Sequence, residues 1–160
     1  MPKRQIFYSF HFANDVMRVQ QIRNIGALEQ NEPVSKNDWE AVKKKGDAAI
    51  KKWIDDTMNY RSCVVVLVGA ETAQRPWVKY EIQKAWNDGK GLFGVHIHNL
   101  KCPLNGKCTK GANPFNYFTL KSGAQLSSIV KCYDPSPTDA YGDIAQNLDN
   151  WVEQAIKQRI

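Results

Sequence analysis

The feature that most constrains this chain is an apolar run, CVVVLV at residues 63–68, in which four of the six residues are valine. A continuous β-branched run is typical of a strand buried on both faces, as in a parallel sheet covered by helices. A polar loop follows at residues 69–75, and Pro76 then suits the first position of a helix, because that position needs no N–H donor. The core-facing side of this helix is predicted by apolar residues at helical spacing, namely Val78, Ile82 and Ala85.

Two further residues of the same predicted helix, Trp77 and Glu81, are four positions apart, so they share a side of it. We expect that side to differ from the core-facing one. Ligands of open α/β sheets bind outside the carboxyl ends of the strands, where this helix begins. The pair therefore predicts an aromatic ring and a carboxylate at the ligand edge, although a packed Trp and a Glu near the positive end of a helix are also common without any ligand.

Composition bounds the class of protein. The 160 residues are 42% hydrophobic and 24% charged, which is ordinary for a globular protein, and we expect residues 1–160 to form a single domain. No apolar run reaches the roughly 20 residues that span a bilayer, and the first residues lack the apolar core of a signal peptide, so we expect a cytoplasmic protein without membrane contact. The net charge of +6 is compatible with nucleic-acid binding, but the basic residues are spread along the chain, which argues against that partner. A mild positive field would suit an anionic nucleotide equally well.

The sequence offers no familiar cofactor or metal motif. It contains neither a glycine-rich dinucleotide or phosphate loop nor a G-x-S-x-G nucleophile turn. Cys102 and Cys108 follow His96 and His98, but their spacing matches no common zinc pattern, so we predict no metal site and no bound cofactor.

The first predicted strand covers residues 4–10, and the turn after it carries Ser9, Phe10, His11 and Asn14. If this strand and the strand at residues 63–68 are parallel neighbours, the turn lies at the same sheet edge as Glu81. A helix is expected at residues 16–24 and a loop at residues 26–37.

The remaining pattern alternates helices and strands. We predict a helix with an apolar side after Gly46, a buried strand at 91–97, a candidate edge strand at 126–133 and a closing amphipathic helix at 141–160. A loop as long as residues 99–125 is usually functional or covers another part of the domain. This alternation predicts an α/β fold: a flavodoxin-like, doubly wound parallel sheet of about four or five strands in three layers.

Read along its length, the chain resembles the TIR-like family of bacterial Thoeris anti-phage systems, the ThsB-type proteins. The resembling segments cover most of the chain in order: KRQIFYSFH at 3–11, DVMR at 15–18, AIKKWI at 49–54, SCVVVLVG at 62–69, RPWVKYEI at 75–82, GVHIH at 94–98 and NPF at 113–115. The resemblance implies a TIR-type fold and cleavage of NAD+ as a substrate rather than a cofactor. It also implies release of nicotinamide and a cyclic ADP-ribose isomer that activates a downstream effector.

In this resemblance the catalytic glutamate corresponds to Glu81, and the substrate-facing loop corresponds to the turn at Phe10 and His11. Ser9, Asn14 and Trp77 complete the predicted substrate-binding set. An aromatic ring and a carboxylate suit this chemistry, since breaking an N-glycosidic bond develops positive charge on the ribose. A TIR-like module that only binds other proteins is the alternative, and a homo-oligomer is compatible with both.

Overall fold

The computed structural model describes residues 6–11, 18, 21–22, 41, 44–101 and 106–159. Strands and helices alternate in this part of the chain: β1 (Ile6–Ser9), α1 (Asp47–Met58), β2 (Cys63–Val68), α2 (Pro76–Asn87), β3 (Gly91–His96), β4 (Cys132–Tyr133) and α3 (Ala140–Gln158). The connections contain short 3-10 helices at Thr72–Gln74, Pro114–Tyr117 and Leu126–Ser128. The described helices include none that is both long and apolar enough to cross a membrane.

The four described strands form one parallel sheet in the order β1-β2-β3-β4. Every residue of β2 and β3 is buried, which confirms the prediction that the two apolar runs are interior strands. β2, β3 and β4 follow one another in chain order on one side of β1, which matches that side of a flavodoxin-like sheet. The predicted α/β, flavodoxin-like fold is therefore confirmed.

Alternating residues of β2 divide the core into two layers. Cys63, Val65 and Leu67 pack on the side of α3, whereas Val64, Val66 and Val68 pack on the side of α1 and α2. The sheet is therefore covered on both faces, as the continuous valine run requires.

The candidate edge strand at residues 126–133 is only partly correct. Leu126–Ser128 is a 3-10 helix, and only Cys132 and Tyr133 pair with β3, at the outer edge of the described sheet. The N–H of Val130 donates to the carbonyl of Leu126, so the apolar residues of this segment reach the core through a helical turn. A short apolar run alone does not distinguish such a turn from a strand.

The long connection before β4 covers the carboxyl edge of the sheet. A Cβ at Gly111 would lie 2.0 Å from the carbonyl oxygen of Gly69, so two backbones meet where no side chain fits. Phe115 is fully buried, and its ring would lie 3.0 Å from a Cβ at Gly94 in β3. The connection is thus packed onto the residues that follow and flank the central strands. The predicted loop at residues 26–37 and most of the predicted helix at 16–24 lie outside the described residues.

Candidate active site

Strand β1 brings one polar side chain into the interior. Ile6 and Tyr8 pack on the α3 side of the sheet, and Phe7 packs on the α1–α2 side, so the alternation of a strand turns Ser9 toward α2. Ser9 is fully buried and stands opposite Val66 of β2. A buried hydroxyl needs a hydrogen-bond partner, and the partner comes from α2.

That partner is Glu81. The Ser9 Oγ donates to the Glu81 Oε1 at 2.8 Å, a contact between residues 72 positions apart. Because β1 and β2 are parallel neighbours, the turn after β1 and the helix after β2 lie at the same sheet edge, as predicted. The structure thus brings together two of the predicted site residues.

The side of α2 on which Glu81 lies differs from the prediction. Glu81 is 7% exposed and belongs to the buried side of the helix, together with Val78, Ile82 and Ala85. The core-facing arc of an amphipathic helix is wide, about 100° or more, so a residue at its margin is buried as well. The carboxyl group therefore projects toward the end of the sheet and not toward open solvent.

Burial controls the charge of this carboxyl group. Removal from water raises the pKa of Glu81 from its ordinary value of 4.5 to about 8, and the hydrogen bond from Ser9 opposes this rise. Glu81 is consequently mostly neutral below about pH 8 when no positive charge lies beside it. A carboxyl group that titrates near neutrality at a sheet edge is a common sign of a functional site.

The turn between β2 and α2 is fixed by Thr72, which sequence reasoning missed. The Thr72 Oγ1 accepts from the N–H of Gly69 at 2.8 Å, and its carbonyl accepts from the N–H of Arg75 at 3.1 Å. Pro76 then occupies the start of α2, as predicted. The signal in the sequence was the position of Thr72, three residues after Gly69, the residue that follows β2. At this spacing a hydroxyl can close a turn.

Trp77 lies half-buried beside the core layer shared by α1 and α2. Its ring meets the ring of Tyr80 edge to face, with centroids 5.8 Å apart, and the Tyr80 hydroxyl donates to Asp55 of α1 in a short hydrogen bond. These contacts hold the indole at the junction of the two helices. Its contact with a ligand stays a prediction.

The turn after β1 places Phe10 and His11 differently. Phe10 packs against the core layer on the α3 side, across the sheet from Ser9. The His11 Nδ1 lies 4.0 Å from the Glu71 Oε2, which links this turn to the one before α2. Substrate contacts by Phe10 and His11 stay predictions, and Asn14 lies outside the described residues.

Two histidines mark the same edge farther along the sheet. His96 ends β3 and is 5% exposed, and its ring centroid lies 5.9 Å from that of His98. Burial lowers the pKa of both residues, and the nearby Lys110 lowers the pKa of His96 further. In the described part of the chain, no group of three or more His, Cys, Asp or Glu residues is arranged to hold a metal ion.

Comparison with known proteins identifies the family of this chain. A family model described as "Thoeris protein ThsB, TIR-like domain" matches residues 7–102, a range that includes both Ser9 and Glu81. A Bacillus cereus protein named "Putative cyclic ADP-D-ribose synthase ThsB1" is 35% identical over 133 residues, which are 80% of this chain and 67% of that protein. The chain belongs to the ThsB family of Thoeris proteins, which carry a TIR-like domain.

Proposed function

We propose that this protein cleaves NAD+, releases nicotinamide and forms a cyclic ADP-ribose isomer as a signal in Thoeris anti-phage defence. The observation that carries the proposal is the buried Glu81 carboxyl group, hydrogen-bonded to Ser9 at the carboxyl edge of a parallel sheet. The name of the Bacillus cereus relative supports the product class.

The chemical step breaks the bond between the ribose C1′ and the nicotinamide nitrogen. The bonding electrons leave with nicotinamide and neutralise its ring, and the ribose becomes a cation. The Glu81 carboxylate stabilises that developing charge, and the low polarity of its surroundings strengthens the interaction. A nucleophilic atom of the same ADP-ribose then attacks C1′ and loses its proton, which closes the ring; attack by water would give linear ADP-ribose.

Glu81 must be ionised for this step, and the substrate itself promotes its ionisation. The nicotinamide ring of NAD+ is positively charged, and a positive charge beside a carboxyl group lowers its pKa. Binding of NAD+ is therefore expected to release the proton that Glu81 holds before the substrate binds. Ser9 holds the carboxylate in place, while Phe10, His11, Asn14 and Trp77 are the proposed contacts to the rest of the substrate.

The remaining parts of the proposal concern partners. The cyclic product activates a downstream effector protein, and NAD+ is consumed as a substrate with no cofactor or metal. The protein works in the cytoplasm, where NAD+ is available, as a monomer or as a homo-oligomer.

The test is product analysis by mass spectrometry after purified protein has been incubated with NAD+, with and without lysate of phage-infected cells. Glu81→Gln keeps the size and the hydrogen bond but removes the charge. We expect product formation to fall at least about a hundredfold, because one electrostatic stabiliser is lost, while NAD+ affinity changes much less. Asp149→Asn, an exposed change on α3, is the control and should retain full activity.

Two results would contradict the proposal. Turnover by Glu81→Gln at a rate similar to that of the unmodified protein would remove Glu81 from the catalytic role. No product under any trigger would favour the protein-interaction module, and binding partners should then be sought instead.

A further inference from the structure

A second concave site lies on the side of α2 away from Glu81. It is a cleft of about 430 Å³ between the second half of α2 and the tight hairpin at residues 118–126. Gln83, Trp86 and Asn87 form the helix wall, whereas Glu81 faces the sheet and does not line the cleft. The volume lies in the lower part of the range of small-ligand pockets, about 300–1,000 Å³.

The hairpin wall is preformed. The backbone N–H of Leu120 donates to the carbonyl of Ala124 at 2.8 Å, and the backbone N–H of Leu126 donates to the carbonyl of Phe118 at 2.9 Å. Leu126 is 1% exposed and packs in the core layer of α1 and α2, so the base of the hairpin is anchored. A ligand would meet this wall without having to order it first, which favours affinity.

The aromatic wall is also held in place. The Arg159 guanidinium lies 3.6 Å from the centroid of the Trp86 ring, and its Nη2 donates to the Trp86 carbonyl at 2.7 Å. This stack ties the end of α3 to α2 and limits rotation of the indole. Trp86 and Phe118 supply the aromatic part of the cleft lining, and the stack with Arg159 fixes the position of the Trp86 ring.

Polar groups around the cleft have a consistent chemistry. Gln83 and Asn87 provide side-chain amides, which both donate and accept hydrogen bonds, and Lys121 provides a positive charge. Within the described residues the backbone N–H groups of Lys121 and Ser122, at the tip of the hairpin, donate to no backbone carbonyl. No carboxylate is present among the described residues that line the cleft.

We propose that this cleft binds a mononucleotide, with the base against the aromatic wall and the amides, and the phosphate at the hairpin tip. Amide side chains match the mixed donor and acceptor edge of a nucleobase. An ammonium group beside two consecutive backbone N–H groups that donate to no backbone carbonyl suits a phosphate. The site goes beyond the proposed reaction and does not depend on it, although both sites are carried by the same helix.

The test is calorimetric titration of the full chain with AMP and, in parallel, with adenosine. Lys121→Glu should weaken AMP binding by about tenfold or more, because a charge-assisted contact is lost, and should leave adenosine binding unchanged. Asn87→Ala should weaken the binding of both ligands.

The matched control is Lys52→Glu, the same charge change at an exposed position of α1. It should leave AMP binding unchanged in a protein with an unaltered melting temperature. Equal weakening by Lys52→Glu and Lys121→Glu would show a non-specific charge effect and overturn the proposal. So would the absence of measurable AMP binding, or tight binding of oligonucleotides only.

Discussion

At the scale of single residues, the site depends on one hydrogen bond. Glu81 is buried in surroundings that favour its neutral form, and Ser9 supplies a hydrogen bond that favours the charged form. Burial raises the pKa of Glu81, and the hydrogen bond from Ser9 lowers it. In the proposed mechanism, the pH dependence of catalysis should therefore report on the hydrogen bond and on the carboxyl group together.

Ser9→Ala tests this balance. Loss of the hydroxyl should raise the pKa of Glu81 above about 8, so the rise of kcat/KM with pH should move to higher pH. Activity should fall most at pH 7 and recover in part on the alkaline side. The measurement is a pH profile of kcat/KM, with Ser128→Ala, an exposed serine, as the control. A loss of the same size at every pH would mean that Ser9 acts only by position.

Sequence reasoning selected Ser9 and Glu81 as candidate site residues but did not predict their contact. The alternation in β1 and the helical spacing in α2 locate Ser9 and Glu81 at the same edge once the two strands are neighbours. Their hydrogen bond spans 72 positions and depends on how α2 packs against the sheet. No local pattern encodes that packing, and for the same reason the burial of Glu81 could not be predicted.

At the scale of elements, the apolar runs were the most predictable part. β2 and β3 are continuous runs whose burial on both faces permits no other placement, and both were predicted correctly. The segment at residues 126–133 was harder, because its apolar residues are too few to show a period. The N–H of Leu126, the first residue of its 3-10 turn, donates to the carbonyl of Phe118, a contact that a linear pattern does not show.

Gly111→Ala tests the connection that covers the sheet edge. A Cβ there would stand 2.0 Å from the Gly69 oxygen, so one backbone must move. We expect a loss of about 1–3 kcal/mol in the free energy of unfolding, as for other overpacked sites. Urea denaturation measures it, and Ala112→Ser, at an exposed neighbour, should change stability by less than about 0.5 kcal/mol. An unchanged urea midpoint for Gly111→Ala would show that the two backbones can move apart without a loss in the free energy of unfolding.

At the scale of the whole molecule, two sets of groups give pH effects of opposite sign. The folded-state pKa of Glu81 lies above its ordinary 4.5, so the folded protein binds the extra proton and its stability falls as the pH rises from 4.5 through about 8. The pKa values of His96 and His98 lie below 6.5, so their contribution falls as the pH drops below 6.5.

Glu81→Gln separates these effects. Because glutamine does not titrate, the variant should be more stable than the unmodified protein above pH 8 and should lose the decline between pH 4.5 and 8. The acid-side loss from the histidines should remain. Urea unfolding at several pH values measures both limbs, and a variant curve parallel to that of the unmodified protein would contradict the assignment of the alkaline decline to Glu81.

The neutral resting state of Glu81 also has a consequence for selectivity between redox forms. The nicotinamide ring of NAD+ is positively charged and lowers the pKa of the carboxyl group, which then releases its proton to solvent. The nicotinamide ring of NADH carries no such charge. We therefore expect NAD+ to bind with proton uptake by the buffer at pH 7, and NADH to bind, if at all, without it. Calorimetry in buffers of different ionisation enthalpy distinguishes the two, and equal proton release by both forms would contradict the expectation. If only NAD+ releases this proton on binding, production of the cyclic ADP-ribose signal should depend on the ratio of NAD+ to NADH as well as on their total amount.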